Sequence, residues 1–254
     1  MFYFFTDLDN TIIFSHHHDI GDTKICIEVL DGKDQGFITY KTLNYLENQT
    51  WLDVVPVTMR SYNQYNRLEA LLNQIGCKKS LICSGAVLVS DGKIDKDWEN
   101  ESLLISIEAR KSLEGLYRSI CSLFGNDKIV FEYPYMFYLK STDVCTDIQT
   151  IKYYLEYEYI DVFCDARKIY FIPKCFSKGN SVKRYLKRFG KGFSIAAGDS
   201  QADISLLKQA DIGYYPESSK DLFIDNINAI SVKPIFSDSI CCELQKLHQE
   251  VILK

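Results

Sequence analysis

Two aspartates follow the first apolar run of the chain, in the segment TDLDNT at residues 6–11. Asp7 and Asp9 are separated by one leucine, and the run MFYFF precedes them. Aspartate is common in turns because its side chain accepts hydrogen bonds from backbone amides. By itself the pair is therefore compatible with a turn, a metal site or a catalytic pair.

Polar residues with chemical potential also follow later apolar segments. Thr58 follows DVVPV, Asp199 follows SIAAG, and Asp203 lies four residues further on. Lys178 opens a predicted helix in SKGNSV. Taken singly, each has an ordinary explanation as a strand-end hydroxyl, a turn or capping acid, or a solvated helix residue.

The segments around these residues alternate between strands and helices. MFYFFT and DVVPVT are predicted buried strands, and SLICSG is a third, while apolar spacing predicts helices over 61–75 and about 103–124. Alternation of this kind indicates an α/β fold with a doubly wound, Rossmann-like parallel sheet, whose ligands lie beyond the carboxyl ends of the strands. We assign residues 1–86 and 175–254 to this core domain.

A different pattern interrupts the core. Residues 101–173 read as helix-strand-strand repeated twice, which predicts an open sheet covered on one face. We assign residues 87–174 to this α+β unit, called the inserted lobe below. Seven aromatic residues lie between 133 and 157, and they are compatible either with stacking on a sugar or with covering a half-buried sheet.

Strand ends of a parallel sheet meet at one edge, so the polar residues should face one crevice, to which the lysine returns after the inserted lobe. The set comprises Asp7, Asp9, Thr58, Lys178, Asp199 and Asp203. Mg²⁺ prefers oxygen ligands and usually binds through a few carboxylates plus its substrate. The set therefore suits a hard cation and a phosphoryl group.

Four segments resemble, in the order of the chain, the four motifs of the haloacid dehalogenase (HAD) superfamily of phosphohydrolases. They are TDLDNT, the threonine of VPVT, the lysine of SKGNS, and GDSQAD. The inserted lobe between the second and third motifs resembles the αββαββ cap of its sucrose-phosphatase, phosphomannomutase and sugar-phosphatase branch. The resemblance implies a HAD core whose cap domain covers the site and supplies substrate specificity.

The resemblance also implies a role for each motif residue. Asp7 would be the nucleophile that forms an aspartyl-phosphate. Asp9 would protonate the leaving oxygen and then deprotonate the attacking water. Thr58 and Lys178 would hold the phosphoryl oxygens.

The implied cofactor is Mg²⁺, with ligands from Asp7, Asp199, Asp203 and the backbone carbonyl of Asp9. The implied activity is that of a phosphatase acting on a small phosphorylated metabolite such as a sugar phosphate. The alternatives are a phosphomutase or phosphotransferase on sugar phosphates, and a regulatory phospho-ligand binder with little turnover. The sequence assigns neither an individual metabolite nor an oligomeric state.

Several further positions bear on the site. Arg60 and Asn180 are candidates for contacting substrate, although a surface salt bridge is an equal explanation for Arg60, and Ser200 is a candidate for supporting the site. Ser84 stands where the resembling branch commonly has asparagine, which leaves any asparagine-mediated contact in doubt. Asn10 replaces a frequent glycine but can also take a left-handed turn.

The composition limits the partners and the compartment. A net charge of -5 argues against a nucleic-acid binder with a basic surface, and we expect no membrane partner because the chain has no apolar stretch long enough to span a bilayer. The nine cysteines lack any C-x-x-C pair, which predicts reduced and mostly buried thiols. We expect a cytoplasmic protein, because the chain has no spanning stretch and no basic segment before its first short apolar run. The triplet His16–His18 is interpreted as a solvated loop rather than a metal site, since neighbouring side chains diverge.

Overall fold

The structure is a computed structural model that describes residues 1–132, 134–155, 157–165, 167–225 and 228–252. It confirms the predicted α/β architecture with a central parallel sheet. Within these ranges, no helix combines the length and the apolar character needed to cross a membrane.

Strands and helices alternate through most of the chain. The strands are β1 (Phe2–Thr6), β2 (Phe14–Ser15), β3 (Lys24–Leu30), β4 (Lys33–Thr39), β5 (Leu52–Pro56), β6 (Lys79–Ile82), β7 (Val87–Ser90), β8 (Lys93–Ile94), β9 (Ile129–Glu132), β10 (Met136–Lys140), β11 (Ile160–Asp165), β12 (Lys168–Pro173), β13 (Phe193–Ala197), β14 (Ile212–Pro216) and β15 (Ala229–Val232). The helices are α1 (Tyr40–Asn48), α2 (Tyr62–Asn66), α3 (Glu69–Gln74), α4 (Lys96–Ile105), α5 (Ile107–Phe124), α6 (Val144–Tyr154), α7 (Lys178–Phe189), α8 (Ile204–Gln209) and α9 (Phe236–Ile252).

The central sheet has the strand order β15-β14-β13-β1-β5. Its strand β1 is covered on both faces, because Phe4 packs in one apolar cluster and the residues on either side of it pack in another. This two-sided burial explains the continuous apolar run at the N-terminus. Thr6 pairs with Ala197 and with Pro56, so β1, β13 and β5 end at the same edge.

The predicted buried strand in SLICSG is present as most of β6, but it belongs to the separate sheet β6-β7-β8. Strand β6 meets the residue after β5 through a parallel bridge between Val57 and Leu81 and otherwise pairs antiparallel with β7. The short segment thus turns the chain away from the sheet towards the inserted lobe.

Both long predicted helices are broken. The pattern over 61–75 contains α2 and α3, which separate at Leu68, and the pattern over 103–124 contains the end of α4 and all of α5, which meet at Ser106. At the second break Ser106 Oγ donates a hydrogen bond to the carbonyl of Ser102 at 2.7 Å. Apolar spacing missed this second break because a serine bonded to the preceding turn bends a helix without changing its buried face.

The inserted lobe contains an antiparallel sheet with the order β11-β12-β10-β9. The face packed under α5 and α6 carries Phe137, Leu139, Ile169 and Phe171. The opposite face, which packs against the core, carries Met136, Tyr138, Tyr170 and Ile172. Aromatic side chains therefore serve packing on both faces; Tyr133 lies outside the described residues. The domain limits at 86/87 and 174/175 stay predictions.

Strands β3 and β4 form a hairpin, which joins β2 in the order β2-β4-β3. Its turn residues Asp31 and Gly32 have φ values of 52° and 70°, the left-handed pair that a tight hairpin turn requires. The last residues of β4 are buried against the core, while most of β3 is exposed. This hairpin forms a third component beside the sheet and the inserted lobe.

Close packing of two helices places the predicted lysine. Lys178 is the first residue of α7, and the preceding Ser177 caps the helix by accepting a hydrogen bond from the amide of Asn180. A Cβ at Gly179 would lie 2.2 Å from the carbonyl oxygen of Ser205, the second residue of α8. The glycine therefore allows α7 to begin directly beside the first turn of α8.

Substitution of Gly179 by alanine is expected to lower the melting temperature by roughly 2–10 °C, because overpacking costs about 1–3 kcal/mol. The matched control is Gly115→Ala on α5, where a Cβ meets nothing within 4 Å and alanine should add about 0.5–1 kcal/mol of stability. Circular dichroism melting compares the two variants. Equal melting temperatures would contradict the close contact of α7 and α8.

Candidate functional site

The carboxyl ends of three parallel strands bring separate motifs together. Asp7 directly follows β1 and donates its backbone N–H to the carbonyl of Ala197 at 2.9 Å. Thr58 follows β5 by one residue, and both side chains are buried. Asp199 follows β13, and it lines the same cavity as Asp7 and Thr58. The predicted convergence of these three residues is thus present in the structure.

Lys178 joins the first and last motifs. Its Nζ lies 2.7 Å from Asp7 Oδ1 and 2.6 Å from Asp203 Oδ1, and its side chain is 1% exposed. Burial alone would lower the pKa of the ammonium group, but the two carboxylates outweigh this effect and raise its pKa. Lys178 therefore remains charged inside the protein.

Asp203 is the most buried carboxylate of the site, with no exposed surface. Its second oxygen accepts hydrogen bonds from Ser200 Oγ at 2.7 Å and from the backbone N–H groups of Ser200 and Asp199 at 3.1 and 3.3 Å. A Cβ at Gly198 would lie 2.3 Å from the Cβ of Asp203. The motif GDSQAD thus folds around Asp203, with glycine leaving room and serine holding the carboxylate.

Asp7, Asp199 and Asp203 form a cluster in which one carboxylate oxygen of each lies within 4.8 Å of the others. Burial raises the pKa of Asp7 well above its ordinary value; the neighbouring acids add to this, and Lys178 opposes it. Burial and the charge of Asp203 raise the pKa of Asp199 to about 7. A divalent cation would relieve this repulsion, so the oxygen-only donor set fits Mg²⁺.

Asp9 faces a different partner. Arg60 donates from Nε to Asp9 Oδ2 at 2.9 Å and from a terminal nitrogen to Oδ1 at 2.7 Å. Burial of the Asp9 carboxyl group would raise its pKa. The hydrogen bonds and the positive charge of Arg60 outweigh burial and lower that pKa. The Arg60 side chain is 10% exposed and the Asp9 side chain is 48% exposed, so this ion pair lies at the open side of the cleft, with Arg60 as its buried member.

A cavity of about 520 Å³, called the site cavity below, opens beyond these groups. The core contributes motif residues to its lining, and the hairpin and the inserted lobe contribute its remaining sides. The lining residues that the motifs do not include are Glu28, Leu30, Gln35, Arg67, Asp165, Lys168 and Tyr170, among others. The site is therefore enclosed by three parts of the chain.

Sequence reasoning missed these enclosing residues. Asp165 and Lys168 pair in register at the end of the β11–β12 hairpin, and charged residues at a predicted turn of the inserted lobe were a usable signal. Lys168 Nζ lies 5.1 Å from the ring centre of Tyr138. The sequence gives no indication that Glu28 is buried, because it lies on a strand whose other residues are mostly exposed.

The structure treats Ser200, the candidate for supporting the site, differently from Asn180, a candidate for contacting substrate. Ser200 holds Asp203, as described above. Asn180 is exposed on α7, and its Nδ2 donates to the carbonyl of Lys174 at 3.1 Å. Asn180 is also absent from the lining of the site cavity, so the structure does not bring it to the other site residues.

The two departures from the family pattern are accommodated by the backbone. Asn10 and Ser84 both have φ values of 58°, in the left-handed region that asparagine adopts more readily than most residues. The carbonyl of Ser84 accepts a hydrogen bond from Ser181 Oγ at 2.9 Å. At this position the backbone, rather than an amide side chain, makes the contact with α7.

The histidine triplet is exposed, consistent with a solvated loop. His18 Nδ1 lies 3.1 Å from Ser15 Oγ, and His17 and His18 line the site cavity. All nine cysteines are free thiols. The expectation that most are buried is wrong, because only Cys83 and Cys241 are fully buried.

Solved structures share this fold over nearly the whole chain. A HAD subclass IIB sugar phosphatase is 13% identical with a TM-score of 0.68, and the alignment covers 98% of this chain and 99% of that one. The sucrose-phosphatase from Synechocystis sp. PCC6803, solved with sucrose and phosphate, is 14% identical with a TM-score of 0.65 and 97% coverage of both chains. A haloacid dehalogenase-like hydrolase from B. subtilis is 16% identical with a TM-score of 0.58, covering 96% of this chain and 99% of that one.

No family model matches the sequence, and no curated protein matches it. The fold implied by the motifs is nevertheless confirmed, because the similarity extends across both the central sheet and the inserted lobe. The chain thus has the fold of these solved structures.

Asp199→Asn is expected to change how stability depends on pH and Mg²⁺. Asp199 has a pKa of about 7 in the folded protein and about 4 in the unfolded chain. Its favourable contribution to the free energy of unfolding is full below about pH 4 and is lost as the pH rises to about 7. Metal-free wild type should therefore melt at a lower temperature at about pH 8 than at about pH 5, and the variant should show a smaller difference.

Mg²⁺ at about 100 times its dissociation constant should stabilise the wild type by about 2.7 kcal/mol, or roughly 5–10 °C. The variant should lose most of this gain, because one ligand no longer carries charge. Melting in chelator and in Mg²⁺ at both pH values provides the measurement. An undiminished Mg²⁺ effect in the variant would show that Asp199 is not a ligand.

Proposed function

We propose that the protein is a Mg²⁺-dependent phosphatase that hydrolyses a small phosphorylated metabolite, with a sugar phosphate as the substrate class, through an aspartyl-phosphate on Asp7. The observation that carries this proposal is the buried ion pair between Asp7 and Lys178 beside Asp199 and Asp203. It combines a carboxylate nucleophile, a cation for phosphoryl oxygens and a set of metal-binding acids at the end of one strand.

The first half-reaction forms a bond between an Asp7 oxygen and phosphorus while the bond from phosphorus to the leaving oxygen breaks. Water then attacks the same phosphorus, which releases inorganic phosphate and restores the Asp7 carboxylate. Lys178 and the Thr58 hydroxyl would hold phosphoryl oxygens during both steps. The charge of Lys178 also reduces the repulsion between Asp7 and an anionic substrate.

Asp7, Asp199 and Asp203, with the backbone carbonyl of Asp9, would hold Mg²⁺, which when bound supplies positive charge that offsets the charge on the phosphoryl oxygens. Ser200 contributes by fixing the Asp203 carboxylate. Lys178 contributes a positive charge of its own, 2.6 Å from Asp203 Oδ1.

Asp9 would give a proton to the leaving oxygen and take one from water in the second half-reaction. In the free protein Arg60 keeps the pKa of Asp9 low, which favours the carboxylate. The negative charge of a bound phosphoryl group acts against the charge of Arg60 and favours the protonated acid in the complex.

The site cavity supports a neutral, hydroxyl-rich leaving group. Beyond the motif residues it presents donors from Arg67 and Lys168, acceptors from Asp165, and the ring of Tyr170. Donors and acceptors of both kinds suit the hydroxyl groups of a sugar, and an aromatic face suits its apolar side. The fold shared with sugar phosphatases supports the same substrate class.

Asp7→Asn is expected to reduce phosphate release by at least about 10³-fold, because the amide is a poor nucleophile and no other residue replaces it. The assay measures inorganic phosphate from p-nitrophenyl phosphate and a panel of sugar phosphates, in Mg²⁺ and in chelator. Asp97→Asn, an exposed change on α4, is the matched control and should retain full turnover.

Undiminished turnover of Asp7→Asn, or of the wild type in chelator, would contradict the proposed mechanism. Conversion of a sugar bisphosphate without net phosphate release would indicate a mutase instead.

Asp9→Asn should affect substrates according to their leaving groups. The expected loss in kcat/KM is about 10²–10⁴-fold for sugar phosphates, because their leaving group is a sugar alkoxide that needs a proton. The loss should be far smaller for p-nitrophenyl phosphate, whose leaving group departs as a stable anion. Steady-state kinetics on both substrate types give the ratio, and an equal loss on both would exclude Asp9 as the acid.

A further inference from the structure

Glu28 is a buried carboxylate on an exposed strand. It is 5% exposed, whereas the other residues of β3 are exposed or only partly buried. The pairing of β3 with β4 shifts register on both sides of Glu28, and a β-bulge of this kind redirects a side chain. Its partner on β4 is Gly36, where a Cβ would lie 3.1 Å from both the Cβ and Oε2 of Glu28. The bulge and the glycine together make room for the carboxylate.

The Glu28 carboxylate binds two arginines of the cleft. Oε2 accepts a hydrogen bond from a terminal nitrogen of Arg60 at 2.9 Å, and Oε1 accepts one from Arg67 Nε at 2.6 Å. The same terminal nitrogen of Arg60 also donates to Asp9. A continuous series of ion pairs therefore runs from the hairpin through Arg60 to the proposed acid/base.

A purely structural explanation accounts poorly for this arrangement. Buried ion pairs rarely stabilise a fold more than apolar residues of similar size, because removing charges from water costs several kcal/mol. The hairpin also has little core of its own for Glu28 to complete, since β3 is mostly exposed. What the ion pairs provide is a defined orientation for Arg60, whose planar guanidinium group fits two oxygens of Asp9 at once.

We propose that Glu28 is a positioning residue that holds Arg60 so that Arg60 keeps the Asp9 carboxylate directed at the leaving oxygen of the substrate. This inference rests on the proposed function and extends it from the motif residues to the β3–β4 hairpin. Glu28 acts through Arg60 and makes no contact with the phosphoryl group. Arg67 holds the other oxygen of Glu28 and so keeps it from turning away.

Glu28→Gln tests the proposal, because glutamine has the same size but only one oxygen to accept from two guanidinium groups. The expected result is a fall in kcat/KM of about tenfold for a sugar phosphate and of less than about threefold for p-nitrophenyl phosphate. Only the sugar phosphate needs a proton from a correctly oriented Asp9. An equal fall for both substrates would indicate a general structural effect and overturn the proposal.

Two further variants make the test specific. Asp34→Asn changes an exposed carboxylate on β4 of the same hairpin and should leave both values unchanged. Gly36→Ala preserves every charge but places a methyl group against the Glu28 carboxylate, and it should change the substrate ratio in the same direction. If Glu28→Gln does not fold, Gly36→Ala decides the matter by the same criterion.

A double variant shows whether the effect passes through Arg60. In an Arg60→Gln background, Glu28→Gln should produce no further change in the ratio between the two substrates, because the residue on which it acts is gone. A full additional tenfold change would place the effect of Glu28 elsewhere and overturn the proposal.

A measurement that needs no turnover separates this inference from the proposed function. In ¹⁵N-labelled protein, the Arg60 Nε–H resonance, assigned by its loss in Arg60→Gln, should exchange slowly in the wild type and shift or broaden in Glu28→Gln. An unchanged resonance overturns the proposal. If the wild type releases phosphate from no ester, the proposed function fails, while this resonance still reports whether Glu28 fixes Arg60.

Discussion

A buried ammonium group between two carboxylates is the interaction on which the rest of the site depends. Lys178 and Asp203 are almost completely removed from water, and Asp7 is nearly so. Buried charges persist only when each is paired and the remaining oxygens are hydrogen-bonded. Ser200 meets that requirement on Asp203, while Asp7 opens towards the site cavity. The close approach of α7 to α8 at Gly179 follows from the need to bring the lysine to both acids.

The central sheet turns this local requirement into a site. Because β1, β5 and β13 are parallel and in register, the residues that follow them lie at one edge, although they come from distant parts of the chain. Parallel strands place backbone and side-chain polar groups at their carboxyl ends without burying them inside the sheet. The same edge therefore accommodates a nucleophile, a hydroxyl and metal-binding acids, with their repulsion offset by Lys178 and by a cation.

The two aspartates of TDLDNT are separated by one residue but have opposite electrostatic environments. Burial, together with the neighbouring acids, raises the pKa of Asp7, whereas the hydrogen bonds and charge of Arg60 outweigh burial and lower the pKa of Asp9. Divergence of this kind is how neighbouring carboxyl groups take different chemical roles. Glu28 of the β3–β4 hairpin binds Arg60, and Arg60 binds Asp9. A segment outside the motifs therefore determines the electrostatic environment of Asp9.

The sequence by itself determined the α/β fold, the inserted lobe and the residues at the strand ends, because apolar periodicity and turn chemistry act over a few neighbouring residues. It also placed Asp7, Thr58, Lys178, Asp199 and Asp203 in one crevice, since the ends of parallel strands converge in any sheet of this type. Only the tertiary structure decided that Glu28 joins Arg60 across 32 positions and Arg67 across 39, and that Asn180 faces away from the cavity. The contacts of Glu28 depend on a β-bulge and on the facing Gly36, and the position of Asn180 depends on how α7 packs. Such features depend on the packing of whole elements rather than on local sequence pattern.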